Sequence, residues 1–166
     1  MLSVSDTRGN IYHQAIQFNQ TLDVPTGETL AIYYAENIAG GANTVTVTES
    51  QANNTLRFAI LEYSGLATSN SLDVTVAAQG SGTTLNSGST TTTANGDLIL
   101  GEVATADTLF FTAGAGFVIE ECTPASPNSK LAAEDAIQPL AGAISVSASL
   151  SVSDNGAALL AAFKHQ

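Results

Sequence analysis

Tryptophan is absent from this chain, cysteine occurs once, and lysine and arginine together number only 4 in 166 residues. The single Cys122 excludes an intrachain disulfide, so the fold must draw its stability from its core. Against those 4 basic residues stand 15 aspartates and glutamates, and the formal net charge of -11 repels nucleic-acid backbones and anionic membranes. No apolar run is long enough to cross a bilayer. We therefore expect neither nucleic-acid binding nor membrane insertion.

The residues that are present favour a polar but weakly charged surface. Charged residues make up 11% of the chain and hydrophobic residues 44%, so serine, threonine, asparagine, glutamine and glycine must cover most of the exterior. Such a surface suits solvated β-sheets. We interpret the chain as an exported protein of the cell exterior or cell surface. The first residues do not have the pattern of a signal peptide, so we expect that any signal has been removed.

The run from Thr29 to Leu66 carries the clearest β signal. Val45 and Val47 alternate with threonines, which places one row of side chains inward and the next outward. Gly40-Gly41 precedes this segment and Gln51–Asn54 follows it, and both are residue types that reverse the chain at low cost. The pattern predicts three successive strands: Leu30–Glu36, Thr44–Glu49 and Leu56–Tyr63.

Short strands separated by turn residues are predicted along the rest of the chain. Gly80–Gly82 and Asp154–Gly156 are among the predicted turns. Ser81–Thr93 is interpreted as a Thr-rich edge strand and not as a linker, and Ala157–Phe163 as a strand buried on both faces. The remaining predicted strands are Leu2–Ser5, Ile11–Phe18, Leu72–Ala78, Ser89–Thr93, Leu98–Ala104, Phe117–Cys122, Leu131–Ile137 and Ala143–Leu150. The sequence predicts one all-β domain over 1–166, a two-sheet antiparallel sandwich of jelly-roll-like form.

An ordered set of motifs resembles a family of extracellular bacterial β-sandwich modules found in large surface proteins, as in acidobacteria. The motifs are VSDTRGNIY, IYYAENIAGGANTVTVT, ILEYSGL, NGDLILG and KLAAED, and they cover nearly the whole chain. The resemblance implies secretion and a jelly-roll-like sandwich, and it implies no catalytic residue.

The family pattern continues upstream of the VSDxxGN motif with further strands, whereas this chain begins at that motif. A sandwich that lacks a core strand exposes unpaired backbone donors and acceptors, which favours pairing with an added strand. The resemblance therefore predicts that a strand comes from a neighbouring copy or from a partner protein.

Asp6 and Asn10 are the candidate metal ligands, with calcium as the candidate ion and Asp154 as a further oxygen donor. The alternative is an Asx-type turn in which Asp6 and Asn10 bond to the backbone and Gly9 has a positive φ. No other cofactor is predicted.

Tyr33, Tyr34, Phe110 and Phe111 are the candidate ligand-binding residues. Carbohydrate-binding modules of this fold class stack sugar rings on exposed aromatic side chains. In a strand, one of Tyr33 and Tyr34 points inward and the other outward. Of Phe110 and Phe111, one ring is expected on an exposed loop, or one in the core with the other as its cap.

Other reactive side chains have structural interpretations. Glu120-Glu121 and Glu134-Asp135 are adjacent in predicted strands, so the members of each pair face opposite sides and cannot act together as a glycosidase pair. Cys122 is interpreted as a small buried hydrophobe. If Leu56, Phe58 and Ile60 form the core row of their strand, Glu62 ends that row and must bond or reach solvent.

Together these features predict a non-enzymatic extracellular structural or adhesive module. It would assemble with copies of itself or dock to other surface proteins by edge-strand pairing. A carbohydrate-binding module is the alternative function, with glycans as its ligands.

Overall fold

All regular secondary structure in the described part of the chain is β-strand. The computed structural model describes residues 2–23, 25, 27–50 and 56–166. The predicted all-β class is confirmed, because the described residues contain antiparallel sheets and no helix. The strands are β1 Leu2–Asp6, β2 Tyr12–Gln20, β3 Glu28–Ala35, β4 Val45–Glu49, β5 Leu72–Asn86, β6 Thr90–Thr91, β7 Asp97–Leu109, β8 Phe111–Thr112, β9 Val118–Thr123, β10 Ser129–Gln138, β11 Ala143–Ile144 and β12 Ser147–Phe163.

The largest sheet is antiparallel and has the order β5-β12-β7-β10-β9, with β8 paired to β12 off this path. β5 and β9 form its two edges. The prediction of an edge strand over Ser81–Thr93 is confirmed for Ser81–Asn86, which belong to β5. The prediction is wrong for residues 87–93. Of these, only Thr90–Thr91 form a strand, and they pair with β11 and not with the large sheet.

β12 lies in the middle of this sheet, and its second half is buried on both faces, as predicted for Ala157–Phe163. Leu159, Ala161 and Phe163 pack into one core cluster with Leu30 and Ile32 of β3. Ala158, Leu160 and Ala162 pack into the other, on the opposite face. Strand periodicity explains this division, and the small alanines allow covering layers to approach both faces.

The turns predicted at Gly80–Gly82 and Asp154–Gly156 are wrong. β5 and β12 run through these segments, where Gly80 pairs with Gly156 and Gly82 with Asp154. The ladder shifts register between Ser149 and Asp154, so the two long strands bend together there. A Cβ at Gly156 would collide with the Ala104 carbonyl, so glycine serves close strand approach at this position.

Three two-stranded ribbons accompany the large sheet: β1-β4, β2-β3 and β6-β11. The β2-β3 ribbon covers one face of the sheet through Leu30, Ile32 and the half-buried Ile16 and Phe18. Because these ribbons are not joined into one second sheet in the described residues, the jelly-roll-like arrangement stays a prediction. The single strand predicted over Ala143–Leu150 is divided between β11 and the start of β12.

The strand predicted over Leu56–Tyr63 is wrong, since these residues pair with no neighbour in a described ladder. They keep a period of two, but the inward row is the opposite one: Arg57, Ala59, Leu61 and Tyr63 are half-buried. Phe58 and Ile60 are 47% and 58% exposed. The predicted reversal near Gly40-Gly41 is confirmed, with a φ of 108° at Gly41. The turn predicted at Gln51–Asn54 lies outside the described residues.

Candidate functional site

An open cavity of about 1030 Å³ lies between β3 and the segment Leu56–Tyr63. We call this cavity the slot. The inward-facing side chains of β7 and β10 line it as a floor: Leu98, Leu100, Glu102, Ala104, Leu131 and Ala133. The half-buried apolar row of the β1-β4 ribbon also lines it, through Leu2, Val4, Val45 and Val47.

The two backbone edges that face the slot have no ladder partner among the described residues. β3 pairs with β2 on one side only, and Leu56–Tyr63 is in no sheet. Along that segment, the Phe58 carbonyl accepts a long hydrogen bond of 3.5 Å from the Thr123 hydroxyl. Backbone N–H and C=O groups next to apolar surface require partners. The slot is thus bordered by two strand-like edges that can pair with a further strand.

Glu102 is the one acidic residue in the floor row of β7. Its cross-strand neighbours are Ala133 of β10 and Leu159 of β12, so its carboxyl group rises from an apolar surface. Burial raises the pKa of Glu102 to about 8. No hydrogen bond or ion pair from any described residue reaches this carboxyl group. Although the side chain lies deep, it keeps some accessible surface, because that surface faces the slot.

Charged groups gather at the β3 start of the slot. Burial raises the pKa of Glu28, while Lys130 and Arg57 oppose this increase. One oxygen of Glu28, Oε2, is buried without a hydrogen bond to any described residue. The Lys130 ammonium donates to the Ala106 carbonyl. This end therefore holds two cations that already interact with the protein.

Tyr63 closes the other end of the segment. Burial raises the pKa of Tyr63 above its usual range, and the nearby carboxylates of Asp135 and Glu120 raise it further. The Tyr63 hydroxyl oxygen is buried without a hydrogen bond of good geometry. Tyr63 and Asp135 thus link the segment to β10.

The residues predicted to bind calcium form an Asx-type turn in which Gly9 has a φ of 75°. Asp6 Oδ1 accepts from the backbone N–H groups of Arg8 and Asn10 at 3.0 and 3.1 Å. Asp6 Oδ2 accepts from the Asn10 and Asn43 amides and the Tyr12 hydroxyl. Desolvation acts to raise the pKa of Asp6, but these hydrogen bonds lower it well below its usual range.

These donors occupy both Asp6 oxygens, and Asp154 does not contact them. Asp154 lies in β12, where its Oδ2 accepts a hydrogen bond of 2.8 Å from the Asp107 N–H. Within the described ranges, no group of three histidine, cysteine, aspartate or glutamate side chains is placed to hold a metal. Calcium binding stays a prediction.

The four aromatic residues predicted to bind ligand do not form one platform. The Tyr34 ring packs 5.3 Å from Phe163 and 5.6 Å from His13, whereas the Tyr33 hydroxyl lies 3.1 Å from the Leu2 carbonyl oxygen. Phe111 is buried in the cluster on the other face, and Phe110 is 48% exposed. Tyr33 and Tyr34 line the slot. Glycan binding stays a prediction.

The adjacent carboxylates divide as expected in β10 but not in β9. Glu134 is buried on one face and accepts from the Gly114 N–H, while Asp135 lies beside Tyr63 on the other. In β9 the ladder skips Glu120, so Glu120 and Glu121 are both exposed at a bulge. Cys122 is half-buried against the second core cluster, in agreement with its interpretation as a hydrophobe.

Sequence reasoning missed Glu102. The available signal is the run Leu98–Ala104, where a glutamate occupies the row that otherwise holds Leu98, Leu100 and Ala104. An acidic residue on the buried row of a predicted strand requires a partner. Its position over an open slot, however, follows from the tertiary structure.

Fold and slot together define an all-β protein in which the described residues leave an open cavity on one face of the large antiparallel sheet. Comparison with protein-family models, with curated proteins and with solved structures gives no match. The resemblance to bacterial surface modules therefore stays a prediction. No helix in the described residues is long and apolar enough to cross a membrane.

Proposed function

We propose that this chain is a non-enzymatic structural module that binds an extended strand of another polypeptide in the slot. The observation that carries the proposal is a pair of strand-like edges on either side of one apolar floor, the free edge of β3 and Leu56–Tyr63, which no ladder among the described residues occupies. A strand added between them supplies main-chain hydrogen bonds to both edges, while its alternate side chains enter the cavity.

The length and surface of the slot support this mode of binding. β3 has 8 residues, so a strand that pairs with it spans about 26 Å. The inward side chains of such a strand would bury the Leu98, Leu100 and Leu131 surface below and the Val4 and Val47 surface of the ribbon. Each Å² of apolar surface removed from water contributes about 25 cal/mol.

Charge indicates a partner other than a second copy. Five glutamates line the slot, Glu28, Glu36, Glu49, Glu62 and Glu102, against the two cations Arg57 and Lys130. Two copies that each carry a formal net charge of -11 repel one another. A neutral or basic strand meets no such repulsion. Action at the cell surface, as an adhesive or structural part of a larger assembly, belongs to the same proposal.

Binding of short strand peptides tests the proposal. A fluorescent nine-residue peptide of alternating valine and threonine is titrated with the chain and followed by anisotropy. The matched control carries N-methyl groups on alternate residues, which remove the donors from one edge. We expect saturable binding of the first peptide and at least tenfold weaker binding of the control. Equal binding of both, or none, contradicts the proposal.

Light scattering on the chain alone identifies the source of the strand. A monomer agrees with a separate partner. Defined oligomers that the valine-threonine peptide dissociates would show that a second copy fills the slot instead.

A further inference from the structure

We infer that the strand which fills the slot carries one lysine or arginine side chain directed at Glu102. This inference rests on the proposed function and specifies the chemistry of its partner. The geometry that supports it is a single carboxyl group on the floor of the cavity, between Leu100 and Ala104, with its accessible surface toward the space that the strand would occupy.

Glu102 has no hydrogen-bond or ion-pair partner among the described residues. Its cross-strand neighbours Ala133 and Leu159 are apolar, and no described residue bonds to its carboxyl group. A strand with apolar residues at every inward position would seal this polar group away from water. Because a buried acceptor left unpaired is costly, the filled slot requires a donor at this position.

A cationic donor fits the slot better than a neutral one. The charged groups that line the cavity around Glu102 are Glu28 of β3, Glu36, Glu49 of β4, Arg57, Glu62 and Lys130 of β10. With Glu102 they give an excess of acidic groups. Of the two cations that line the cavity, Lys130 donates to the Ala106 carbonyl, and Arg57 has an interaction of its own. A carboxylate and an ammonium or guanidinium group form a strong, short hydrogen bond in a site without water.

Occupancy by a cation also changes the protonation of Glu102. In the empty slot burial holds the pKa of this carboxyl group near 8, so it is mostly protonated at pH 7. Contact with a cation lowers its pKa, and the proton leaves to solvent as the ion pair forms. Strand binding at pH 7 therefore releases up to one proton.

Three peptides test this inference with the full chain: the nine-residue valine-threonine strand with lysine, leucine or glutamate at its centre. We expect the lysine peptide to bind at least tenfold more tightly than the leucine peptide. Calorimetry in buffers of different ionisation enthalpy should show proton release for the lysine peptide alone. In the variant Glu102→Gln, the preference for lysine should fall below threefold and proton release should vanish.

The control variant is Glu62→Gln, which removes an exposed acidic residue at the edge of the slot. It should retain the preference for lysine. If Glu62→Gln and Glu102→Gln weaken that preference equally, or if 0.5 M salt abolishes it, general surface charge explains the selectivity and the inference is overturned.

The outcomes separate the two proposals. If the peptides bind with equal affinity, the slot accepts a strand but Glu102 does not select it, which overturns this inference alone. If no peptide binds while the chain remains folded, the proposed function is overturned and this inference with it.

Discussion

Glu102 is the residue whose environment departs most from ordinary strand chemistry. We expect Glu102→Leu to raise the free energy of unfolding of the unliganded chain at pH 8 by about 1–3 kcal/mol, because it removes a buried polar group that lacks a partner. Urea unfolding measures the change. Glu62→Leu, at an exposed position, should change stability by less than about 0.5 kcal/mol. A loss of stability in Glu102→Leu would show that the carboxyl group has a stabilising partner.

Asp97 makes stability depend on pH in an unusual direction. Burial first, and the facing Asp73 carboxylate second, raise the pKa of Asp97 to about 6 from an ordinary value of 3.8. Neither Asp97 oxygen has a hydrogen bond of good geometry to a described residue, and the charge of the facing Asp73 carboxylate favours the protonated form of Asp97. The folded chain thus holds a proton that the unfolded chain releases. This contribution is complete below pH 3.8 and is lost as pH rises through 6.

We expect Asp97→Asn to flatten the pH dependence between pH 4 and pH 6, since a neutral amide beside Asp73 does not titrate. Urea unfolding of both proteins at pH 4, 5, 6 and 7 measures the slope, and each unit of pKa shift corresponds to about 1.4 kcal/mol. The contribution of Glu102, whose pKa is also raised, remains in both proteins and declines toward pH 8. Identical slopes in the two proteins would contradict the assignment.

Gly101 allows the layer above β7 to approach closely. A Cβ at this position would lie 2.6 Å from Val146 Cγ1 and 3.0 Å from Glu134 Cγ. We expect Gly101→Ala to lower the free energy of unfolding by about 1–3 kcal/mol through overpacking. Gly40→Ala is the matched control, because a Cβ there meets no atom within 4 Å. Thermal unfolding of both variants checks the prediction, and equal midpoints would exclude the packing argument.

At the scale of elements, β12 and Leu56–Tyr63 differ most in burial. Leu160 of β12 is fully buried, whereas Phe58 is 47% exposed. We expect Leu160→Ala to cost about 2–5 kcal/mol and Phe58→Thr to change stability by less than about 0.5 kcal/mol. Chemical denaturation of the isolated chain measures both. A large cost for Phe58→Thr would mean that the segment already packs on a partner surface.

The contrast also shows what the sequence predicts. The uninterrupted run of apolar residues over Ala157–Phe163 is enough to predict a central strand. Consecutive residues of a strand point to opposite faces, so such a run indicates burial on both faces. The alternation in Leu56–Tyr63 predicted a strand equally well, yet a strand also needs a ladder partner, which local periodicity does not specify. The alternation left open which row faces inward, and Phe58 and Ile60, though apolar, face outward.

The glycine-rich segments failed as turn signals for a related reason. Gly80 and Gly156 pair across one ladder, and Gly156 lets β12 lie close to Ala104 of β7 without ending the strand. The candidate site was foreseen only in part. The resemblance predicted a missing strand, but the floor residue Glu102 and the slot depend on contacts between residues distant in sequence.

At the scale of the whole molecule, the described residues cover the two faces of the large sheet unequally. One face of the large sheet is covered by the β2-β3 ribbon, and the floor beside it remains open to the slot. On the proposed function, an added strand completes this covering layer.

Amide hydrogen exchange with and without the valine-threonine-lysine peptide tests that claim most directly. In the free chain, we expect the amides of Ala157–Phe163 to exchange slowest and those of Leu56–Tyr63 to exchange rapidly, since no ladder among the described residues includes this segment. The peptide should slow exchange in Leu56–Tyr63 and in the slot-facing amides of β3, with β9 unchanged. Full protection of Leu56–Tyr63 in a free monomer, or unchanged exchange with saturating peptide, would contradict the account.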